Sequence, residues 1–374
     1  MKNIAVIFGG KSSEHDISII TACNLMQNLD ENKFKIFPIY IQKNGKFTYH
    51  EKFKNIETFQ KETVNGKEVN FFAGNNFLFI KHIIGFKKFV KIDFCFVSLH
   101  GLNGEDGAIS GLLNLCNIPY SCADILASSV AMDKVATKYV CRALKIKVVN
   151  FFTTDKNIYL NNRESIFKKS KKLGYPIIVK PSRLGSSIGI TRCENDEDLI
   201  NALSLAFVLD DKVVIEKALT DFKEYNIAVF KFNNETLLSK IEEPLVHENI
   251  LSFEDKYLGG SKIKGMENLS RKFPADIEFE HEKTIKNYAE KIYKALDFSG
   301  VVRIDFLFKD GKVYLNEINS IPGSFANYLW DFSYSTLLEN IIFEREENFN
   351  ERQKLTFSFE SDVLKGGQNI GLKK

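Results

Sequence analysis

Ile4-Ala5-Val6-Ile7-Phe8 runs directly into Gly9-Gly10-Lys11-Ser12-Ser13-Glu14-His15-Asp16-Ile17-Ser18, and this junction sets the fold class. An apolar run closed by paired glycines reads as a buried strand followed by a tight turn. From about His15 to Leu29 the apolar residues take helical spacing, and strand spacing returns over Lys35 to Ile41 and Ile92 to Leu99. Strands that alternate with helices predict a parallel sheet with crossover helices, so the expected class is α/β with an open, Rossmann-like parallel sheet over residues 1–122. Residues 43 to 90, rich in Asn, Lys and Phe, read as an excursion with short strands.

Past residue 122 the pattern changes. A second unit is expected over 123–215, with helical pattern at 133 to 145 and 161 to 173, a strand over Pro176 to Lys180, a Gly/Ser loop, and a strand from Ile188 to Thr191. A third is expected over 216–345, with strands near 223 to 230 and 236 to 241, a polar stretch from 247 to 270, a helix near 275 to 296 and a strand pair from 301 to 319. Residues 346–374 read as a frayed tail that ends in Lys373-Lys374.

Composition narrows the function classes. The 374 residues include 51 Lys and Arg against 48 Asp and Glu, a formal charge of +3, too small to draw the chain to nucleic acid or an anionic membrane. The longest apolar stretches fall short of the ~18 residues of a spanning helix. The apolar run after Lys2 is too short for a secretory signal, so a cytoplasmic location is expected. The cysteines at 23, 95, 116, 122, 141 and 193 have no C-x-x-C spacing and read as buried thiols rather than a disulfide or zinc framework.

Chemistry concentrates in a few segments. In Lys180-Pro-Ser-Arg-Leu-Gly-Ser-Ser-Ile-Gly189 a strand ends in lysine before a small-residue loop whose uncovered backbone can wrap phosphates. It is not a P-loop, because the lysine precedes the glycines and a strand follows; a hairpin without ligand is the alternative. In Val302-Arg-Ile-Asp-Phe-Leu-Phe-Lys-Asp-Gly-Lys-Val-Tyr-Leu-Asn-Glu-Ile-Asn319 the register decides the chemistry. A two-residue turn at Asp310-Gly311 would set Asp305 opposite Asn316 and turn Glu317 away. A three-residue loop, which is the expectation, puts Arg303 and Asp305 on one face with Leu315, Glu317 and Asn319. Two carboxylates and an amide oxygen there are hard ligands suited to Mg²⁺, and Arg303 beside them could offset charge on a phosphoryl group or oxyanion. The plain alternative is a salt-bridged hairpin with Arg303 paired to Glu317.

Near the first helix, Ser12 or Ser13 fits a helix cap with Glu14 and Asp16 favoured by the helix dipole, or Glu14 fits a receptor for an ammonium group. Leu99-His-Gly-Leu-Asn-Gly-Glu-Asp-Gly107 lies at the C-terminal end of a strand, where open α/β sheets bind ligands, although His100 alone reads as a structural histidine. There is no H-E-x-x-H, G-x-S-x-G or Cys/His metal spacing.

Taken in order, E-H-D-I-S, H-G-x-x-G-E-D-G, A-M-D-K, V-K-P-S-R-L-G-S-S-I-G, K-Y-L, R-I-D and N-E-I-N-S-I-P-G resemble the D-alanine-D-alanine ligase family of the ATP-grasp superfamily, over about residues 3 to 342. The resemblance implies an ATP-grasp fold of three domains, ATP between the second and third, and a homodimer. It implies that Lys134 and Lys180 hold the ATP phosphates, that Glu216, Lys217 and Leu219 line the adenine site, and that Glu224 binds the ribose. Asp305, Glu317 and Asn319 match the ligands of Mg²⁺, two ions for which Mn²⁺ can substitute, and a monovalent cation is a further possibility. Glu14 matches the receptor for the first D-alanine's ammonium, with Ser186 and Tyr257 as its hydrogen-bonded partners and His100 close by. Lys256 and Tyr257 lie in what the family has as a closing loop, with Lys256 reaching the transferred phosphate. Arg303 and the backbone N–H of Gly323 match the oxyanion site.

The implied reaction joins two D-alanines for peptidoglycan synthesis: a carboxylate attacks the γ-phosphate of ATP, and the amine of a second D-alanine attacks the acylphosphate. One departure concerns that second site. Many members carry a serine five residues after the P-G glycine, where this chain has Tyr328; either its hydroxyl or Ser324 would take the serine's place. The rival readings are a ligase that joins D-alanine to D-lactate or D-serine, and an ATP-binding module without catalysis.

Overall fold

The computed structural model describes residues 1–60, 64–245 and 271–356. Strands β1 (Lys2–Gly9), β2 (Phe34–Ile41), β3 (Phe47–Tyr49), β4 (Lys67–Phe71), β5 (Phe77–Lys81), β6 (Phe86–Lys91) and β7 (Phe94–Ser98) form one sheet in the order β6-β5-β4-β3-β2-β1-β7. Only β2, β1 and β7 are parallel. The 43 to 90 excursion adds β3 to β6 as antiparallel hairpins, so the sheet is mixed rather than all parallel. The crossover from β1 to β2 is helix α1 (His15–Gln27), whose buried face of Ile19, Ala22, Leu25 and Met26 covers the parallel strands.

A second sheet, in the order β10-β9-β11-β8, comprises β8 (Phe151–Asp155), β9 (Ile177–Pro181), β10 (Thr191–Cys193) and β11 (Lys212–Lys217). Its core, built around Ile166, Ile177, Val179, Leu203, Phe207 and Ile215, draws only on residues 159–215. The third sheet has β12 (Lys223–Phe232), β13 (Glu235–Leu238), β16 (Val302–Lys309) and β17 (Lys312–Asn319) in the order β13-β12-β16-β17. A short pair, β14 (Glu243–Pro244) with β15 (Arg271–Lys272), lies beside β12. The helix Phe279–Ala295 covers one face of the third sheet through Ile285, Ala289 and Ile292.

The helix Tyr334–Gln353 ties the first sheet to the third. Its Leu337, Leu338, Ile341 and Ile342 share a core with Ile4, Val6 and Phe8 of β1 and with Ala228 and Phe230 of β12. The charged residues after Leu338 therefore continue a helix to Gln353, and Arg345, 7% exposed, donates from Nε to the Tyr120 carbonyl at 2.9 Å. All six cysteines are buried free thiols. Among the described residues no helix is long and apolar enough to cross a membrane.

The β16–β17 hairpin corrects the expected turn. Lys309 pairs with Lys312, so the loop is the two residues Asp310 and Gly311, with φ of 49° and 70°, both in the left-handed region that a two-residue hairpin turn requires. A bulge between Asp305 and Phe306 then makes Asn316 an extra residue, and Asp305 faces Glu317 while Phe306 faces Leu315. Arg303, Asp305, Glu317 and Asn319 do share a face, but through the bulge and not through a longer loop. Leu315 lies on the other face, in the core with Ile304, Phe306 and Ile318.

Candidate active site

The acidic face of the third sheet is the floor of the site. Arg303 clamps Asp305 with two parallel bonds, Nε to Oδ1 and NH2 to Oδ2, each 2.8 Å. Asn319 Nδ2 donates to Asp305 Oδ2 at 3.0 Å, and Glu317 stands opposite Asp305 in the register. Glu224 shares this face, since it lies two residues from Asn226, the partner of Asp305 on β12. Asp305 is 1% exposed, and a buried carboxylate flanked by a second carboxylate and an amide oxygen is a donor set that fits a hard divalent cation.

Two lysines from the second sheet's side reach this floor. Asp133 caps helix α4 (Lys134–Ala143), accepting from the amides of Val135 and Ala136, and so fixes the start of the helix where Lys134 leaves it. Lys134 Nζ donates to the Leu184 carbonyl at 2.5 Å and lies 3.8 Å from Glu317 Oε2. Lys180, at the end of β9, donates to Asn316 Oδ1 at 3.4 Å and pairs with Glu216 Oε2 at 3.1 Å. The bulge residue is thus the one that meets Lys180.

Glu216 is a centre that the sequence did not reveal as such. It is 3% exposed and holds Lys138 on its other oxygen at 2.8 Å. Burial alone would raise its carboxyl, but Lys138 and Lys180 outweigh that and bring it down to about 2. Burial lowers the Lys138 ammonium, with Glu216 opposing. Lys217 turns its ammonium onto the carbonyls of Gly174 and Tyr175, both at 2.9 Å.

The first sheet closes the third side. Ser186, at φ 52°, donates from Oγ to Glu14 Oε1 across 172 positions of sequence. Glu14 is 7% exposed and borders a cavity of about 350 Å³ lined in part by Lys11, Ser12, Gly101, Leu184 and Gly185. Gly101 is required there: its φ is +74°, and a Cβ would lie 2.9 Å from Glu14 Oε2 and 2.5 Å from Ser12 Oγ. His100 Nε2 contacts Thr21 Oγ1 at 3.2 Å, and burial, with Arg303 nearby, lowers the ring to about 4, so it is neutral at pH 7. Glu105 accepts from the Gly101 amide at 2.9 Å; burial and the charge of Glu14 push its carboxyl up to about 8.

Residues 3–123 match the family model described as D-ala D-ala ligase N-terminus, and residues 140–338 the model described as D-ala D-ala ligase C-terminus. The chain belongs to the D-alanine-D-alanine ligase family. It is 38% identical to a D-alanine–D-alanine ligase of Thermosipho melanesiensis over 98% of this chain and 99% of that one. Among solved structures it resembles the VanG D-Ala:D-Ser ligase of Enterococcus faecalis, with TM-score 0.77, 30% identity and coverage of 92% and 99%. It also resembles the D-alanine–D-alanine ligase of Bacillus anthracis complexed with ATP, with TM-score 0.66, 27% identity and coverage of 94% and 100%. The third sheet and the cleft it makes with the second are therefore the ATP-grasp architecture.

Tyr328 and Ser324 both have hydrogen-bond partners within the protein. The Tyr328 hydroxyl donates to Glu242 Oε1 at 3.1 Å, and the charge of Arg303 acts on the same hydroxyl from nearby. Ser324 Oγ accepts from Asn24 Nδ2 at 3.2 Å, toward helix α1. Ser324, Phe325 and Ala326, which follow Gly323, hold φ of 48°, 51° and 49°, a left-handed turn that costs conformational energy and is fixed by burial of Phe325 and Ala326. Lys256 and Tyr257 lie outside the described residues. Sequence reasoning missed Glu105, Lys138, Glu242 and Asn316, which contact or adjoin the expected site residues. For Asn316 a signal existed, since the core positions Val313, Leu315 and Ile318 step by two and then by three.

Proposed function

We propose that this protein joins two D-alanines with ATP, through a D-alanyl phosphate, in the supply of peptidoglycan precursors. The observation that carries the reading is the convergence of three separate sheets. Lys134 meets the Glu317 carboxylate and Lys180 the Asn316 amide of β17 across one cleft, and the Glu14–Ser186 pair stands beside it. The near full-length similarity to D-alanine–D-alanine ligases supports the same chemistry.

Each group has a task that its position suits. Glu14 would receive the ammonium of the first D-alanine and so aim its carboxylate into the cleft. Lys134 and Lys180 would hold the phosphates in line with it, with charge neutralisation doing most of the work of phosphoryl transfer. Glu216 keeps Lys180 aimed. Asp305, Glu317 and Asn319 would hold Mg²⁺, which when bound offsets charge on the phosphate oxygens. Arg303 and the Gly323 amide would stabilise the oxyanion formed when the second amine attacks the acyl carbon. His100, neutral and buried, excludes water from that corner. Glu224 would take the ribose, and the backbone of Glu216 to Leu219 the adenine. The family resemblance also carries a homodimer, a cytoplasmic location and the monovalent cation.

The test is phosphate release from Mg-ATP by purified protein with D-alanine, L-alanine, or D-alanine plus D-lactate or D-serine, with products identified by mass. Release with D-alanine alone and a D-alanyl-D-alanine product supports the reading. A second reading, with D-serine or D-lactate as acceptor, is favoured by one observation: Tyr328 is turned onto Glu242 instead of standing open as a carboxylate receptor. A mixed product would select it. ATP binding without phosphate release under every condition would sink both.

A further inference from the structure

The acceptor must present an amine to the acyl carbon beside Arg303, and its carboxylate hangs from the same carbon as that amine. A carboxylate that enters a closed site needs a cation or several donors. Tyr328 and Ser324, the residues at the expected positions, are committed elsewhere, to Glu242 and to Asn24. Arg303 gives one edge of its fork, Nε and NH2, to Asp305, and its remaining donors face the task of the oxyanion.

Arg271 on β15 is placed to meet the need. Its guanidinium lies over the Tyr328 ring, 4.5 Å from the centroid, with the Phe273 ring at 5.9 Å. The same tyrosine also feels the charge of Arg303, so Arg271 over its ring lies on the Arg303 side of the third sheet. Its one acidic partner among the described residues is Glu242, from NH1 to Oε2 at 3.5 Å, a long single contact and not a bidentate clamp. The side chain is 27% exposed, whereas Glu242 is almost wholly buried. Glu242 in turn is fixed by Asn226 Nδ2 at 3.1 Å, by Tyr328, and by backbone pairing with Asn226 on β12. A rigid buried carboxylate thus orients a guanidinium that keeps donors turned outward, on an aromatic platform that fixes its plane.

We infer that Arg271 binds the carboxylate of the acceptor amino acid, with Tyr328 as its platform and Glu242 as the positioning residue that aims it. The inference rests on the ligase reading above and adds the determinant of its second site. Recognition by a full charge selects acceptors that carry a carboxylate, amino acids and hydroxy acids alike, over neutral amines.

Two acceptors separate this role from the rest of the machinery. Hydroxylamine traps the acylphosphate as a hydroxamate and has no carboxylate to be bound, whereas D-alaninamide keeps the amine and loses the charge. Arg271→Ala is expected to form D-alanine hydroxamate from Mg-ATP near the wild-type rate. Its kcat/KM for acceptor D-alanine should fall on the order of ten- to a hundred-fold, the worth of one charge-assisted contact. The preference for D-alanine over D-alaninamide should fall by a similar factor, and Arg271→Lys should recover part of it. Unchanged dipeptide kinetics and acceptor preference in Arg271→Ala would overturn the proposal. A parallel loss of hydroxamate and dipeptide would overturn it too, by making Arg271 a support of the whole site. A wild-type protein that forms neither hydroxamate nor dipeptide would sink the ligase reading and the proposal with it.

Discussion

Asp305 faces Glu317 across β16 and β17 because Asn316 is an extra residue in the second strand. The two-residue turn by itself would have set Asp305 opposite Asn316. One inserted residue changes which side chains share the floor of the site, and the bulge also bends β17 so that Asn316 reaches Lys180 on the second sheet. The same residue that sets the carboxylate register therefore ties the floor to Lys180 of the second sheet.

The turn beneath this arrangement gives a clean stability test. Gly311 sits at φ +70°, and a Cβ there would meet nothing within 4 Å, so substitution costs backbone strain alone. Gly311→Ala is expected to destabilise by about 1 kcal/mol, read as a lower denaturant midpoint at unchanged slope. Turnover under native conditions should stay near wild type, because the turn lies at the far end of the hairpin from Asp305.

Much of this was legible in the residues. The strand at Ile4 to Phe8, the helix from His15 and the paired strands up to Asn319 follow from apolar period, because each buries one face or stripe. The turn length was not, because Asp-Gly suits loops of two or three residues and the alternation of β17 was read without its step of three. Contacts made across long sequence separations were out of reach. Lys138 looks like any helical lysine until β11 brings Glu216 beneath it, and Arg271 meets Glu242 only once β15 pairs with β14. In the same way the H-G-L-N-G-E-D-G segment marked a ligand end of a strand, but only the fold sets Glu105 against Glu14.

Lys138 and Glu216 give the strongest stability prediction, since both are almost fully buried. Glu216→Gln leaves two neighbouring cations, Lys138 and Lys180, without their shared counter-charge, and breaking such a group typically costs about 3–5 kcal/mol. The variant should unfold at markedly lower denaturant and bind ATP more weakly as Lys180 is released. The pH dependence has a definite sign. The folded carboxyl at about 2 lies below its ordinary value of 4.5, so its stabilisation is complete above 4.5 and is lost as pH falls toward 2. Acid unfolding curves of the variant should be flatter across that window than those of wild type.

Glu105 predicts the opposite sign in a different window. Its folded carboxyl is raised from 4.5 to about 8 by burial and by the charge of Glu14. Between those values the unfolded chain ionises while the folded one holds its proton, so this group lowers stability as pH rises through the window. In the ligand-free protein, Glu105→Gln should remove that part of the decline in melting temperature between pH about 4.5 and about 8. Identical pH profiles for the two proteins would show that Glu105 ionises normally.

Arg303 lets binding and chemistry be separated. It clamps Asp305 with two bonds of 2.8 Å, so its guanidinium is preorganised beside the place where an oxyanion would form. Removing one preorganised oxyanion donor typically costs on the order of 10²-fold or more in rate. Arg303→Ala is expected to lose that much in kcat while nucleotide affinity changes little, since Lys134, Lys180 and the Glu216 segment are untouched. The alanine variant also leaves Asp305, 2% exposed at its side chain, without its partner, so part of any loss could come from a weakened fold. Arg303→Lys controls for this. It keeps a cation near Asp305 but has no planar fork, and should restore melting temperature more than turnover. Equal recovery of both, or near wild-type kcat in Arg303→Ala, would remove Arg303 from the reacting centre and leave it as a structural partner of Asp305.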